Sequence, residues 1–281
     1  MFAYHFNRLR LFPTLLQDFW RYAKAMPNLH ADEFPAITDQ TALFLDFDGT
    51  LVELAPTPSQ VQLAPDVITV LKTLERKLGG ALALVSGRSL ADLDSFLQPL
   101  QLASAAEHGA MRRSAVGLLS SAEPLDLHHA LGAALALVRQ HPALLVEQKT
   151  RSISLHYRQA PELEAQCVAA MQAALQHSTG LELIMGKYVV ELKPQAVSKG
   201  TAIDAFMQEP PFKGRHCLFV GDDVTDESGF ISVQATGGQA IKMGEGESAA
   251  RHRCASVAQL NAWLQAASVE LNQVEEHQAS A

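Results

Sequence analysis

Three runs of consecutive apolar residues, at 42–45, 81–85 and 217–220, stand out in the hydrophobic pattern of the chain. Short runs without polar alternation are typical of strands that are buried on both faces of a parallel sheet. Between the first two runs, apolar positions recur with helical spacing from 66 to 78, and Gly79-Gly80 ends that helix. A strand, a helix and a strand in this order form a right-handed crossover, which places the second strand beside the first. The pattern therefore predicts an α/β fold with a parallel sheet and helices on both faces.

Each of the three runs ends in polar residues that can carry chemistry. In open parallel sheets, ligands bind just beyond the carboxyl ends of the strands. Because these ends share one edge of the sheet, we expect the polar side chains to meet in one pocket. They are Asp46 and Asp48 after the first run, Ser86 and Arg88 after the second, and Asp222, Asp223 and Asp226 after the third.

Carboxylates gathered in that pocket would repel one another and would require a cation. The sequence has no histidine or cysteine at ligand spacing there, so the all-oxygen set predicts Mg²⁺ and not zinc. An ion that keeps open positions can bind a phosphate oxygen. Lys199 opens a helix predicted to run from 202 to 207, so its ammonium group and the helix N-terminus can face an anion together. These features predict a magnesium site that takes a phosphate group.

The segment from 111 to 194 is predicted to form a smaller α/β module inserted into the core. It contains two helical stretches, 128–140 and 162–177, and alternating segments such as 151–157 and 188–192. Such a module can close over a site as a cap and expel water. Its predicted strands carry polar groups of both signs, which suit a ligand dense in hydroxyl groups because buried donors and acceptors need partners. These groups are Glu147, Lys149, Lys187 and Glu191.

The core is predicted to consist of residues 41–110 and 195–267, before and after the cap. Residues 1–40 form an N-terminal extension, predicted as an amphipathic helical appendage. A secretory signal is disfavoured because Pro13, Gln17 and Asp18 interrupt its short apolar stretch. Residues 268–281 are polar and small and are predicted to be a flexible tail.

Composition limits the possible partners and the compartment. A formal net charge of −8 argues against nucleic acid, because phosphate backbones select for basic surfaces. No apolar run approaches the ~18 residues of a membrane helix. The three cysteines are far apart and are typical of a reducing compartment, which predicts a cytoplasmic protein. The pattern favours no particular oligomeric state.

The strand-end segments resemble the signature motifs of the haloacid dehalogenase superfamily of phosphatases. The matching residues are Asp46-Phe47-Asp48-Gly49-Thr50, Ser86, Lys199 and the segment 221–227. Within that superfamily, three further segments resemble the trehalose-6-phosphate phosphatase family, and the resemblance covers roughly residues 41–265. These segments are Ala106-Glu107-His108-Gly109-Ala110, residues 186–194 and Ser198-Lys199-Gly200. Lys193 departs from the arginine of many relatives, and thereby keeps the charge but loses the bidentate fork.

The resemblance implies a Rossmann-like core with an inserted α/β cap and a Mg²⁺-dependent hydrolysis of trehalose 6-phosphate, the last step of trehalose biosynthesis. It implies that Asp46 attacks phosphorus and forms an aspartyl-phosphate, and that Asp48 acts as general acid and then general base. Ser86 and Lys199 would bind the phosphoryl oxygens. The metal would be held by Asp46, Asp48, including its main-chain carbonyl, and Asp222.

The resemblance also implies roles around this centre. Glu147, Lys149 and Glu191 would bind the sugar, and Lys187 would face it from the same sheet. Asp226 would orient Asp222 or Lys199 from behind. Asp223 would lie beside it, and the spacing leaves open whether Asp223 contacts the metal or a neighbouring side chain. The roles of His108 and Arg88, near the pocket mouth, stay open. We expect His108 to bond the substrate. We expect Arg88 either to hold the Gly-Asp-Asp loop or to reach the phosphate.

Other functions remain open at the level of sequence. A phosphatase for sucrose 6-phosphate or a glycosyl phosphoglycerate would share the core but lack the Glu-His-Gly and 186–194 segments together. A phosphosugar mutase would transfer phosphate without releasing it. A non-catalytic phosphosugar sensor would bind its ligand without turnover, which the intact Asp46 and Asp48 disfavour.

Overall fold

The structure is a computed structural model that describes residues 34–114, 117–120 and 125–279. Within these ranges the chain alternates strands and helices. The strands are β1 (Thr41–Leu45), β2 (Leu82–Val85), β3 (Ala103–Ala106), β4 (Met111–Ser114), β5 (Gly117–Ser120), β6 (Leu145–Gln148), β7 (Ile153–His156), β8 (Leu181–Gly186), β9 (Val189–Pro194), β10 (His216–Gly221), β11 (Gln239–Met243) and β12 (His252–Cys254). The helices are α1 (Pro65–Lys77), α2 (Leu90–Leu97), α3 (His128–Gln140), α4 (Glu164–Leu175), α5 (Lys199–Met207), α6 (Glu227–Ala235) and α7 (Val257–Ala279).

Eight strands form the large sheet, in the order β12-β11-β10-β1-β2-β3-β4-β5. The strands from β12 to β3 are parallel, and β4 and β5 are added antiparallel at one edge. Leu43 of β1 pairs with Leu82 of β2 on one side and with Leu218 of β10 on the other. The prediction that the second apolar run lies beside the first is therefore confirmed, and the third run is its other neighbour.

All five residues of β1 are buried, as expected for a central strand of a parallel sheet. Phe44 contacts the rings of Phe206 and Phe212, with centroids 5.8 and 5.2 Å away. Helices α1 and α7 pack on each other, as do α5 and α6, and residues of all four belong to the same core cluster. This core fixes the carboxyl ends of β1, β2 and β10 at one edge.

The cap is a second, separate sheet with its own core. Its strands are antiparallel, in the order β6-β7-β9-β8, and helices α3 and α4 pack on it. The cap core includes Ile153, Leu155, Met171 and Val190, all fully buried. Both predicted cap helices are present, at His128–Gln140 and Glu164–Leu175.

The cap begins later than the sequence predicted. Residues from Met111 were assigned to it, but β4 and β5 form a hairpin on the edge of the large sheet, with Ala105 paired to Arg112 and Arg112 paired to Leu119. An edge hairpin is only partly covered and needs no apolar run, so its sequence does not resemble the buried strands. The described part of the cap therefore comes from residues 125–194.

The C-terminal segment is also different from its prediction. The predicted flexible tail from Ser268 continues helix α7 as far as Ala279. Ser268 is buried, and its hydroxyl donates to the carbonyl of Gln265. Residues 268–279 are therefore helical and not an irregular chain.

The N-terminal extension is described only from residue 34. The amphipathic appendage predicted for residues 1–40 lies almost entirely outside the described residues. Phe34 packs on Trp263 of α7, with ring centroids 5.2 Å apart. Among the described helices, none has the length and apolarity that crossing a bilayer requires.

Candidate active site

The loops after β1, β2 and β10 face the cap across a single cavity. Every residue predicted for the site lines this cavity except Asp226, which lies behind it and is fully buried. The lining residues are Asp46, Asp48, Ser86, Arg88, His108, Glu147, Lys149, Lys187, Glu191, Lys199, Asp222 and Asp223. The topology of the sheet therefore brings together side chains that are up to 177 positions apart, from Asp46 to Asp223.

Asp46 and Lys199 form a buried ion pair at the base of the cavity. The Lys199 ammonium group lies 2.7 Å from Asp46 Oδ1 and 2.7 Å from Asp226 Oδ1. Burial opposes the charge on Lys199, but Asp226 and Asp46 outweigh it and raise the lysine pKa. Thr50 donates to the other oxygen of Asp46 at 3.1 Å. Burial raises the pKa of Asp46 well above its usual range, and Lys199 acts against that shift.

Asp226 organises the loop after β10. One of its oxygens accepts from Lys199, and the other accepts the backbone N–H groups of Asp222 and Asp223 at 3.0 and 2.9 Å. Asp223 in turn caps the short turn that follows, because its carboxylate accepts the N–H of Val224 at 2.8 Å. With both carboxylate oxygens engaged, Asp226 orients the loop that carries Asp222.

The carboxylates of Asp46, Asp222 and Asp226 form an acidic cluster. Each offers one oxygen that lies within 4.8 Å of the others. Asp222 Oδ2 accepts from Lys187 of the cap at 2.5 Å, and burial raises the pKa of Asp222. The donor set contains only oxygen, which fits Mg²⁺. Asp48 was predicted to contribute its carboxylate to this cluster, but that side chain is directed to an arginine.

Gly49 allows the loops after β1 and β10 to approach each other. Its φ is +76°, a left-handed conformation that favours glycine. A Cβ atom at this position would meet the Asp222 carboxylate. The glycine after the two aspartates is therefore required for the acidic cluster to form.

Arg88 grips Asp48 in a bidentate ion pair, with contacts of 2.6 and 2.7 Å. The guanidinium also donates to the carbonyl of Pro58 and lies over the rings of Phe47 and Phe96. Among the described residues, the guanidinium donates to Asp48 and Pro58 and not to the Gly-Asp-Asp loop, whereas a contact of Arg88 with phosphate stays a prediction. A planar fork that binds both carboxylate oxygens and packs on two rings fixes the direction of the Asp48 carboxylate.

Ser86 lies at the end of β2 with 1% of its surface exposed. Its hydroxyl accepts the N–H of Arg88 at 3.2 Å, and its carbonyl accepts the N–H of His108 at 2.9 Å. The hydroxyl proton remains available to donate into the cavity, which Ser86 lines.

The cap contributes a second polar cluster around Glu191. Its Oε2 accepts from Lys149 at 2.9 Å and from Ser154 at 2.6 Å, and His108 Nε2 lies 3.6 Å away. Burial opposes the charge on Glu191, but Lys149 and His108 outweigh it and hold its pKa well below the usual range. Among the described residues, Glu191 Oε1 and His108 Nδ1 are buried without a hydrogen-bond partner. Both residues line the cavity, so a ligand that carries hydroxyl groups would meet their polar side chains there.

Glu147 lies on β6 at the edge of the same cavity. Its carboxylate contacts His156 Nε2 at 2.9 Å. Burial raises the pKa of Glu147, but His156 and Lys149 outweigh it and lower the pKa. An ionised carboxylate here accepts hydrogen bonds and does not donate them.

Lys242 is a site residue that the sequence analysis missed. It lies on β11, and its ammonium group donates to the main-chain carbonyls of Asp222 and Met243. It therefore supports the main chain of the loop that carries Asp222. The available signal was a lysine within the otherwise apolar segment 240–243, next to the third predicted strand.

The fold is that of the haloacid dehalogenase-like hydrolases. One such hydrolase from B. subtilis superposes with a TM-score of 0.58 at 15% identity, covering 80% of this chain and 99% of the other. The C-terminal domain of the C. albicans trehalose-6-phosphate phosphatase superposes with a TM-score of 0.73 at 18% identity, covering 95% of this chain and 99% of the other. At these identities the likenesses show the fold alone.

The sequence comparisons are more specific. The model of the trehalose-phosphatase family matches residues 44–261. The trehalose-6-phosphate phosphatase of Escherichia coli (strain K12) is 40% identical over 253 residues, which cover 88% of this chain and 94% of that protein. The chain belongs to the trehalose-phosphatase family, and the resemblance seen in its motifs is confirmed.

Proposed function

We propose that the protein is a Mg²⁺-dependent phosphatase that hydrolyses trehalose 6-phosphate to trehalose and inorganic phosphate. The observation that carries the proposal is the position of the Asp46–Lys199 pair. It lies in one cavity with the polar side chains of His108, Lys149 and Glu191. A phosphate group and a hydroxyl-rich sugar would each meet complementary groups there. The family of the chain supports the same substrate.

The chemistry divides into two displacements at phosphorus. An Asp46 oxygen attacks in line and forms an aspartyl-phosphate, while the bond from phosphorus to the sugar oxygen breaks. Protonated Asp48 gives its proton to that departing oxygen, and the resulting carboxylate, which Arg88 pairs with, then takes a proton from the water that attacks the aspartyl-phosphate. The second displacement releases phosphate and restores the Asp46 carboxylate. Lys199 and Ser86 donate to the phosphoryl oxygens as charge spreads over them.

The acidic cluster is the proposed Mg²⁺ site. Asp46 and Asp222 would hold the ion with the main-chain carbonyl of Asp48, and Asp226 would keep Asp222 in position. A bound Mg²⁺ neutralises charge on the phosphoryl oxygens. The fit rests on buried carboxylates with raised pKa values, an arrangement that a divalent cation offsets.

The cap groups are the proposed sugar site. Glu191 and Glu147 would accept from sugar hydroxyls, and Lys149 and His108 would donate to them. Lys187, which contacts Asp222 from the cap side, would link cap closure to the phosphate end of the cavity. Such groups reject a ligand that leaves them unpaired, which favours a disaccharide over a small ester.

We further propose that this enzyme acts in the cytoplasm, as the last step of trehalose biosynthesis. All three cysteines are buried and free, as is usual in a reducing compartment. The net charge of −8 argues against nucleic acid as a partner. The Lys199 ammonium group in the cavity supports a small phosphorylated partner, a sugar phosphate.

Phosphate release from a panel of sugar phosphates tests the proposal. The panel contains trehalose 6-phosphate, sucrose 6-phosphate, a glycosyl phosphoglycerate, glucose 6-phosphate and mannose 6-phosphate. We expect trehalose 6-phosphate to give the highest kcat/KM, EDTA to stop the release, and added Mg²⁺ to restore it. A higher kcat/KM with another member, transfer of phosphate without release, or binding without turnover would each contradict it.

A further inference from the structure

The turn at Glu107 and His108 is strained and is tied to the catalytic loop. Both residues have left-handed φ values, 49° and 57°, although neither is glycine. Such conformations cost free energy and persist only where the surroundings hold them. The N–H of Glu107 donates to the carbonyl of Arg88 and the N–H of His108 to that of Ser86, both at 2.9 Å. The turn is thereby fixed to the loop that carries the proposed phosphoryl-binding serine.

The strained conformation directs the Glu107 carboxylate across the boundary into the cap. It accepts the backbone N–H of Thr150 at 3.1 Å and that of Arg151 at 2.7 Å, and the Ser152 hydroxyl lies 3.5 Å away. Only 1% of the Glu107 surface is exposed. Hydrogen bonds to an ionised carboxylate are stronger than neutral ones. One core side chain therefore holds the cap loop between β6 and β7.

That cap loop carries Lys149. The N–H of Lys149 donates to the carbonyl of Ser152 at 3.0 Å, which closes the loop on itself. Its ammonium group reaches Glu191 on β9. The position of Lys149 over the cavity is thus set by a loop whose amides are bound to Glu107.

We propose that Glu107 is a positioning residue that latches the cap to the core and thereby places Lys149 and Glu191 for the sugar. Its role in turnover rests on the function proposed above, whereas the latch itself is a property of the chain. When the cap swings away, the carboxylate and the two amides exchange their bonds with each other for bonds with water. Closure restores them, together with the sugar-binding cluster and with no change in the turn below.

A latch differs from general structural support in a measurable way: the loss of activity on substitution of Glu107 should depend on whether the substrate carries a sugar. Glu107→Gln keeps the size of the side chain but leaves one acceptor oxygen and turns an NH₂ group toward an N–H donor. We expect kcat/KM for trehalose 6-phosphate to fall roughly tenfold or more, mainly through KM, because a buried charge-assisted contact is lost. For p-nitrophenyl phosphate, which has no sugar to bind, we expect a change within about twofold.

Glu209→Gln is the matched control. Glu209 pairs with Arg112 in the core, partly buried and outside the cavity, so this variant removes a comparable charge without touching the cap. We expect it to leave both substrates unaffected. Equal losses on both substrates in folded Glu107→Gln would overturn the latch.

Hydrogen exchange at the amides of Thr150 and Arg151 tests the latch without any turnover. We expect these amides to be protected in the wild-type enzyme in the presence of trehalose, inorganic phosphate and Mg²⁺, and to exchange faster in Glu107→Gln than in Glu209→Gln. Exchange in the wild type at free-peptide rates under all conditions would overturn the proposal, even if the glutamine variant did not fold. If trehalose 6-phosphate is not a substrate, the proposed function fails, but the exchange without ligand still decides the latch.

Discussion

At Asp46, burial and a single cation act in opposite directions. Burial raises the pKa of the carboxyl well above its usual range, and Lys199 lowers it. Lys199 is shared with Asp226, so its charge is divided between two carboxylates. Ionised Asp46 therefore needs the lysine and, in the proposed mechanism, a divalent ion as well.

Replacing Asp46 by asparagine tests its role as the nucleophile. The amide has nearly the same shape but does not attack phosphorus, and Lys199 keeps Asp226 as its partner. We expect phosphate release to fall by about 10³-fold or more, with a melting temperature close to that of the wild type. Both are measured on the same preparation. Persistent release from a folded variant would remove Asp46 from the mechanism.

Arg88 fixes the direction of Asp48, the proposed general acid and base. The forked shape of the Arg88 guanidinium should therefore matter more for activity than its charge. Arg88→Lys keeps the charge and loses the fork that holds Asp48. We expect kcat/KM for trehalose 6-phosphate to fall roughly tenfold, because the sugar oxygen leaves only when protonated. The fall should be much smaller for p-nitrophenyl phosphate, whose leaving group departs without a proton.

The comparison uses kcat/KM because this constant covers only the steps up to departure of the leaving group. Arg113→Lys is the matched control, since Arg113 makes a bidentate pair with Asp94 outside the cavity. Equal falls on the two esters in Arg88→Lys would contradict the assignment. A similar fall of kcat/KM in Arg113→Lys would show that the fall in Arg88→Lys comes from a loss of protein stability.

At the scale of elements, the sequence predicted what local patterns determine. The helix at 128–140 was evident from its helical pattern, and the buried strands were evident from their unbroken apolar runs. The hairpin β4–β5 was missed because its strands are only four residues long each and contain no apolar run like those of the buried strands. The C-terminal half of α7 was missed because a helix with one exposed side has a composition like that of a tail.

The site could be predicted in part, because the ends of the buried strands are evident in the sequence. Strand ends identify which side chains approach the cavity, but not which of them pair. The ion pair of Arg88 with Asp48 depends on the angle of a loop after β2, and the contact of Lys242 depends on the register of β11. The Glu107 contacts join two domains. Distances across such boundaries are set by the whole fold and have no signature in spacing.

Close packing of α5 on α6 positions Lys199, and a glycine makes it possible. A Cβ atom on Gly200 would lie 2.5 Å from the carbonyl oxygen of Ser228. We expect Gly200→Ala to lower the free energy of unfolding by about 1–3 kcal/mol and to reduce activity, because the helices must separate. Chemical denaturation and phosphate release measure the two effects.

Gly132 in α3 is the matched control for this substitution. A Cβ atom there would have nothing within 4 Å, so Gly132→Ala should raise the free energy of unfolding by about 0.5–1 kcal/mol through helix propensity alone. The two variants are thus expected to shift stability in opposite directions. A stabilising Gly200→Ala would show that the helices are less tightly packed than their contact implies.

At the scale of the whole molecule, two separate hydrophobic cores meet at one polar boundary. The core domain supplies the acidic cluster, and the cap supplies the Glu191 cluster. The contacts across the boundary include Lys187 with Asp222 and Glu107 with the cap loop. Charge on the acidic cluster therefore affects both the stability of the core and the attachment of the cap.

The proposed Mg²⁺ site should consequently appear in the pH dependence of stability. Because burial raises the pKa of Asp46 and Asp222, the folded state binds protons there more tightly than the unfolded chain does. Without metal, this contribution to stability is present below the ordinary aspartate pKa and is lost as pH rises through the raised values. Mg²⁺ binds the deprotonated folded form, so its stabilising effect should grow over the same pH range.

We expect Mg²⁺ at about 100 times its Kd to stabilise the wild type by about 2.7 kcal/mol at neutral pH, with a smaller effect near pH 5, where protons compete. Thermal unfolding in Mg²⁺ and in EDTA at the two pH values measures the difference. In Asp222→Asn the Mg²⁺-dependent shift should largely disappear, because one of the proposed ligands loses its charge. A shift of the same size in this variant would show that the ion that stabilises the fold binds outside the acidic cluster.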